Sequence, residues 1–351
     1  DSPWDHVSPD ERPQVYFAAL WHDVTGRNVN DPTDCGLYGV GSTPLRLDVL
    51  DLDGQVVAAL EPPTWIDPLD YDVHLMPDGP QRFLFRTGLG LHRYDLLDGT
   101  VTPLVQRSGD DLVVGERLVE GLDSDDLTAT ANDDTVWLTR RVVWSPDEPQ
   151  LYQVPLDATE PIRTWSLAEL APELAPAEGN AVWSRDVRLQ EDGQLVLAEH
   201  TRIQHDDGSW HWTNFRVTVD LDTHAATWIF EVPPEVDASI VHPMVHTAIG
   251  QSATLVADMP EMVEQPTLRL FREDGSHTTI PTTSSTCLTP RALLHEGTGT
   301  LVYSSVDPDG PLDEGGTLTI SHRGSDLWHL DGFRVGLSER RAHVRAFTVL
   351  Q

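Results

Sequence analysis

The sequence predicts an all-β fold, a six-bladed β-propeller in which N- and C-terminal strands together complete one blade. Three observations lead there. Short runs of alternating apolar and polar residues, separated by Gly, Asp and Pro turns, fill most of the chain. A strand, an acidic turn and a second strand recur as one motif along the sequence. The first repeat lacks a strand, and one strand is left over at the end.

The motif occurs at Leu45–Leu60, Leu91–Val105, Leu151–Trp165, Phe215–Phe230, Leu268–Ile280 and Leu318–Leu330. Its turns sit near Asp53, Asp98, Asp157, Asp222, Asp274 and Gly324, spaced 45 to 65 residues apart. A second hairpin precedes most copies, at Val73–Phe85, Thr128–Thr139, Val187–Glu199, His246–Asp258 and Arg291–Ser305. Two hairpins per period make a four-stranded unit of roughly 50–60 residues, the size of a propeller blade. Before the first acidic turn there is only Gln14–Leu20; after the last turn His343–Leu350 remains. The surplus strand fills the deficit and removes an exposed sheet edge. The predicted blades are 14–62 with 343–350, then 71–107, 127–166, 185–232, 245–282 and 290–331. A pair of β-sandwiches and a β-solenoid are the competing architectures. One helix is expected, where Ser166 and Glu169 form a capping box ahead of a Pro-punctuated stretch.

The turns Met76-Pro77-Asp78-Gly79 and Gln190-Glu191-Asp192-Gly193 resemble those of bacterial TolB-type six-bladed propellers, where a Pro-Asp-Gly turn joins the first two strands. The blades are also distantly similar to arylsulfotransferase propellers, whose site uses His and Arg at the channel mouth. No residue roles transfer from that family, because its motif does not align here. Kelch, YWTD, Asp-box and WD signatures are absent.

Composition narrows the function classes. The 351 residues are 39% hydrophobic and contain no long apolar run, so no transmembrane helix is expected. The formal charge is −34, and all 23 basic residues are Arg. Without a basic stripe, nucleic-acid binding and attachment to anionic membranes are disfavoured. Without lysine, Schiff-base chemistry is excluded. The chain begins Asp1-Ser2-Pro3-Trp4, which reads as the mature product of a secreted or periplasmic bacterial protein.

In a propeller, the loops joining strands b to c and blade to blade share one face. Those loops are long here, among them Trp21–Pro44, Arg107–Leu127, Arg141–Pro149 and Val232–Pro243, so function is expected on that face. Cys35 and Cys287 fall beside the closure seam, either as a disulfide or as two free thiols. His74, His242 and His246 lead into inner strands, and His22 ends the second strand of the first blade. Imidazoles there suit acid–base work or a transition metal, the metal candidates being His22, His242 and His246. Arg185, Asp186 and Arg291 open inner strands, as a structural ion pair or as binders of an anionic ligand.

Trp21, Trp65, Trp144, Trp183, Trp210 and Trp212 map to the loops or their edges. They either stack on a carbohydrate, small molecule or protein, or fill gaps between blades. Asp307, Asp309 and Asp313 have the oxygen density of a calcium loop without the EF-hand pattern. GxSxG, HExxH and P-loop motifs are missing. The leading expectation is an extracytoplasmic binding propeller. The alternatives are a hydrolase, lyase or group transferase at the channel mouth, and a structural subunit.

Overall fold

A computed structural model describes residues 16–24, 42–51, 55–60, 74–79, 81–87, 90–109, 111–119, 122, 127–140, 142–143, 145, 147–170, 172, 181–189, 194–204, 210–220, 222–223, 226–231, 246–247, 253–258, 267–272, 277–281, 287–295, 300–306, 317–322, 325–330 and 341–350. Apart from one short helix and a few turns, these residues form antiparallel strands in six sheets.

The first sheet joins β1 (Tyr16–Val24), β2 (Ser42–Leu50) and β3 (Val56–Leu60) to β27 (Arg341–Leu350), in the order β27-β1-β2-β3. Tyr16 pairs with Leu350 and Val24 with Arg341, so the C-terminal strand runs the length of β1. The second sheet runs in order through β4 (His74–Pro77), β5 (Arg82–Thr87), β6 (Gly90–Asp95), β7 (Val101–Ser108), β8 (Asp111–Val114) and β9 (Arg117–Val119). The third contains β10 (Leu127–Ala131), β11 (Thr135–Arg140), β13 (Pro149–Pro155) and β14 (Arg163–Ser166).

In the fourth sheet, β15 (Ala181–Leu189), β16 (Leu195–Gln204), β17 (Trp210–Val219) and β18 (Ala226–Glu231) are preceded by β12 (Val142–Val143). The fifth holds β19 (His246–Thr247), β20 (Ala253–Asp258), β21 (Thr267–Arg272) and β22 (His277–Pro281). The sixth holds β23 (Cys287–His295), β24 (Thr300–Val306), β25 (Thr317–His322) and β26 (Ser325–Leu330).

Two segments that read as loops carry strands. Residues 107–127 include the β8–β9 hairpin, which widens the second sheet to six strands. Residues 141–149 include β12, which pairs with Val182 and Trp183 of β15. Both are short strands whose polar neighbours hide the period-two signal.

The sheets meet through the strands at one edge. β19 lies against β23, β23 against β27, β27 against β4 and β5, β5 against β10, and β10 against β15. This is a propeller-like arrangement. It also explains the apolar pattern. Successive residues of a strand point to opposite faces, and a sheet stacked between two others buries both. In β5, Phe83 and Phe85 pack with Ala18, Leu20, Leu47 and Val49 of the first sheet. Leu84 packs the other way, with Val136, Leu138 and Val154 of the third. Trp137 and Leu151 then meet Val187, Leu195 and Leu197 of the fourth. The Phe83 and Tyr94 rings stack at 5.0 Å.

Arginine brackets tie the second and third sheets at their hairpin turns. Asp78, in the Pro-Asp-Gly turn, is buried and receives Arg93 at 2.5 Å. Arg93 also donates to the Asn132 carbonyl across the gap at 2.7 Å, while Arg82 reaches Asp133 at 2.6 Å. Burial pushes the Asp78 carboxyl up, and Arg93 and Arg82 work against that. A second bracket comes from β9, where Arg117 donates to the Glu160 carbonyl at 2.7 Å.

In the first sheet Asp48 is fully buried and paired with Arg46 at 2.6 Å. Burial raises its carboxyl, opposed by Arg46 and the Trp21 indole. The expected helix is present as the single turn α1 (Leu167–Leu170). Its capping box is reciprocal: Ser166 N–H donates to Glu169 Oε2 at 2.8 Å, and Glu169 N–H to Ser166 Oγ at 3.3 Å.

Two predictions follow from the buried carboxylates. Arg93→Ala leaves Asp78 buried without its main partner and is expected to cost about 3–5 kcal/mol. Asp133→Asn removes an exposed pair and is expected to cost about 1 kcal/mol or less. Denaturant midpoints of the two variants would separate them; equal losses would refute the bracket.

The second prediction concerns pH. The folded-state carboxyl of Asp48 lies above its ordinary 3.8. Its contribution is therefore fully present below that value and is lost as pH rises through the raised one. The stability of wild type relative to Asp48→Asn should fall as pH rises above 3.8. A flat difference would count against it.

Candidate functional site

The strands through which the sheets meet carry most of the chemically apt positions. His74 is the first residue of β4, and its Cα partner is Arg86 at the end of β5. Arg86 is buried, and so is the neighbouring Thr87. His22 in β1 lies opposite His343 in β27, and β27 abuts β4. The first and second sheets therefore bring His22, His343, His74 and Arg86 to neighbouring strand ends. Directly opposed residues of an antiparallel pair share a face, with Cβ atoms about 4.5–5.5 Å apart. His246 opens β19, opposite Leu255.

Three inner strands are broken by β-bulges. In β15 the register jumps from Ser184–Glu199 to Asp186–Ala198, leaving Arg185 without a partner across the ladder. In β23 it jumps from Leu288–Ser305 to Ala292–Tyr303, so Arg291 lies within the irregular stretch. In β27, Trp21 and Leu20 pair with Val344 and Ala346, and Arg345 is the extra residue. Each bulge thus contains an arginine. β4 and β10 pair with β5 and β11 without a break. Bulges bend a strand and re-aim a side chain, and they are common beside functional sites.

The tryptophans divide. Trp21 is fully buried among the core side chains, so its indole presents no face for stacking; this corrects its place among the ligand-binding candidates. It fills the packing beside Asp48 instead. Trp183, Trp210 and Trp212 lie within strands, with Trp183 opposite His200, Trp210 opposite Gln204 and Trp212 opposite Arg202. Asp186 pairs with Ala198 in β15, one residue past the bulge.

Trp65, Trp144, His242, Cys35, Asp307, Asp309 and Asp313 lie outside the described residues. Cys287 begins β23, and no disulfide is found among the described residues. Nor do three metal-ligating side chains cluster among them.

Arg86, His343 and Arg345 are positions that the sequence pattern does not single out. His343 and Arg345 lie in the surplus strand, whose apolar alternation marks it as structural. Only the pairing with β1 puts a second histidine opposite His22. Burial of Arg86 depends on sheet packing, which no local signal reports. His92, in β6, is half-buried, and burial pushes its imidazole down, so it favours the neutral form.

No family model matches the chain, and no curated protein matches its sequence. Solved structures similar to it include an oligogalacturonate lyase in complex with manganese, at 12% identity and TM-score 0.43, over 79% of this chain and 82% of that one. A Lactobacillus plantarum protein matches at 12% identity and TM-score 0.41, over 96% of this chain and 100% of its own. A puromycin-hydrolyzing peptidase of Mycobacterium tuberculosis matches at 11% identity and TM-score 0.42; there the alignment spans 95% of this chain but 52% of the peptidase. These likenesses assign no activity to the chain. The TolB-type likeness rests on the turns alone.

The register gives a direct test. With Cys35 and Cys287 changed to Ser, the double substitution His22→Cys and His343→Cys puts two thiols at opposed strand positions, within the usual Cα range of a disulfide. An intramolecular cross-link is expected on oxidation, read as a mass loss of about two hydrogens. Failure to form it would contradict the pairing of β1 with β27.

Proposed function

We propose that the six sheets close into a six-bladed propeller that binds a ligand or protein at the mouth of its channel, outside the cytoplasm. The observation that carries this reading is the run of contacts from sheet to sheet, β19 to β23, β23 to β27, β27 to β4 and β5, β5 to β10, and β10 to β15. Chemically apt residues recur on or beside them: His22, His74, Arg185, Asp186, His246 and Arg291. A rigid ring of strands bearing such groups is a pre-organised site, which reduces the ordering cost of binding. Trp65, Trp144, Trp183, Trp210 and Trp212 supply apolar surface around it, and His242 adds a further imidazole. The long connections 21–44 and 232–243 support placing the site at this end of the strands. Cys35 and Cys287 are read as a disulfide latching the seam, which suits an oxidising compartment.

A second reading is catalysis at the same place. It is favoured by one observation, the opposition of His22 and His343 on strands neighbouring His74. Paired imidazoles shift each other's titration and divide into acid and base. A calcium ion at Asp307, Asp309 and Asp313, or a transition metal at His22, His242 and His246, fits either reading.

The test is a thermal-shift panel of neutral and acidic oligosaccharides, short peptides, and calcium, manganese and zinc salts, with elemental analysis of the purified protein. At least one class is expected to raise Tm. His74→Ala and His246→Ala are expected to weaken that ligand roughly tenfold or more, about the effect of one lost charged or polar contact, without lowering the ligand-free Tm. Binding unaffected by both substitutions would remove the channel mouth as the site. Turnover of the bound compound, lost in His22→Ala, would favour the enzyme.

A further inference from the structure

We propose that Trp183, Trp210 and Trp212, which the register brings to one face at the end of the fourth sheet, form a platform for the sugar rings of a neutral glycan chain. This deepens the binding reading above by naming a ligand class, and it rests on the end of the strands that reading assigns. Trp183 in β15 is opposite His200 in β16, and His200 is opposite Asn214 in β17. In the next row Ala181, Arg202 and Trp212 are aligned, and in the last row Gln204 and Trp210. Directly opposed residues share a face, as do residues two apart on one strand. The polar column His200, Arg202 and Gln204 of β16 therefore runs between the tryptophan of β15 and the two of β17.

This is not the face that packs on the third sheet. Leu195 and Leu197 of β16 and Val219 of β17 meet Trp137 and Leu151 there. Those positions alternate with the polar column on β16 and with Trp210 and Trp212 on β17. The three rows also run past β18, whose partners in β17 are Phe215–Val219.

The residue types select the ligand. The packed faces carry Leu, Val and Phe. The chain as a whole has 57 acidic residues, yet none of the positions in these rows is Asp or Glu. Tryptophan set beside His, Arg, Gln and Asn matches neither a core face nor an acidic surface. A pyranose ring has an apolar C–H face and a rim of hydroxyls. Indole offers a flat apolar surface for the first; imidazole, guanidinium and amide groups offer donors and acceptors for the second. Along β17 the two tryptophan positions are about 7 Å apart, and β15 lies about 10 Å from β17, two strand spacings away. That span exceeds one sugar ring and suits a chain of them.

Intrinsic tryptophan fluorescence and isothermal titration of the purified protein with maltohexaose, cellohexaose, xylohexaose and mannohexaose, and with the matching disaccharides, test this. At least one hexaose is expected to bind saturably, to shift the fluorescence, and to exceed its disaccharide by about tenfold or more. The affinity should depend little on salt, since no ion pair is made. Trp183→Ala, Trp210→Ala and Trp212→Ala are each expected to weaken that hexaose about tenfold or more and to leave the ligand-free Tm near wild type. The Trp→Phe variants should retain part of the affinity.

Absence of binding by all four hexaoses would overturn the proposal, and this wild-type result decides the matter even if variants fail to fold. Undiminished binding in the triple Trp→Ala variant would also overturn it. So would a lowered ligand-free Tm with unchanged affinity, which would make the tryptophans filler between sheets. Binding of short peptides alone, lost in the triple variant, would assign the face to a protein partner instead. If His74→Ala and His246→Ala abolish hexaose binding and the triple Trp→Ala variant does not, the platform falls and the channel-mouth reading stands. The reverse pattern keeps the platform and moves the binding site from the channel to the fourth sheet.

Discussion

The antiparallel pairing of β27 with β1 is the constraint on which the other sheets depend. Without β27, the first sheet would end at β1 with a nine-residue edge. Its unpaired N–H and C=O groups would sit beside Phe17, Leu20 and Trp21, all fully buried. Unsatisfied backbone polar groups in an apolar setting are costly, and an apolar edge invites pairing with another chain. β27 also lies between β23 and β4. One strand therefore satisfies the backbone of the first sheet and carries the packing from the sixth sheet to the second. The price is kinetic: the paired segments are at opposite ends of the sequence, so loop-closure entropy is spent before the contacts form.

Between the sheets, apolar stacking is non-directional, and polar brackets add the angular definition. Asp78 and Asp48 are buried carboxylates whose desolvation outweighs, but is opposed by, their guanidinium partners. Lysine would be a poorer partner in both places. Arg93 serves the Asp78 carboxylate and the Asn132 carbonyl of the next sheet together. A point charge on a flexible stem cannot hold that geometry as firmly. Arg117 does comparable work at carbonyls alone. The Asp-Gly turns that look like ordinary hairpin chemistry in the sequence thus have a second role, as anchors for the neighbouring sheet.

That double role marks where sequence reasoning stops. Alternation and turns made the strand–turn–strand motif visible, and counting strands exposed the surplus at His343–Leu350. The capping box at Ser166 was legible because all its partners lie within four residues. The β8–β9 hairpin and β12 were not, because such short strands carry too few positions to show a period. Trp21 sits at the start of a loop in the sequence, yet its burial depends on Asp48 and Arg46 one strand away. The candidate site was legible as far as residue type and inner-strand position allow. Register breaks were invisible, since they belong to pairs of strands and leave no mark in either one alone.

Those breaks free a strand from its own alternation. In an unbroken ladder every residue's face follows from its neighbours, so the apolar pattern on one side of a strand position dictates the pattern on the other. A bulge relaxes that coupling at one point. β15, β23 and β27 each carry such a break, and in β15 it falls at Arg185. Val187, one residue beyond Asp186, is fully buried against Leu195 and Leu197. The strand thus returns to core packing within two residues of Arg185. The bulge is thus the backbone feature that lets the apolar alternation resume against the neighbouring sheet after an interruption.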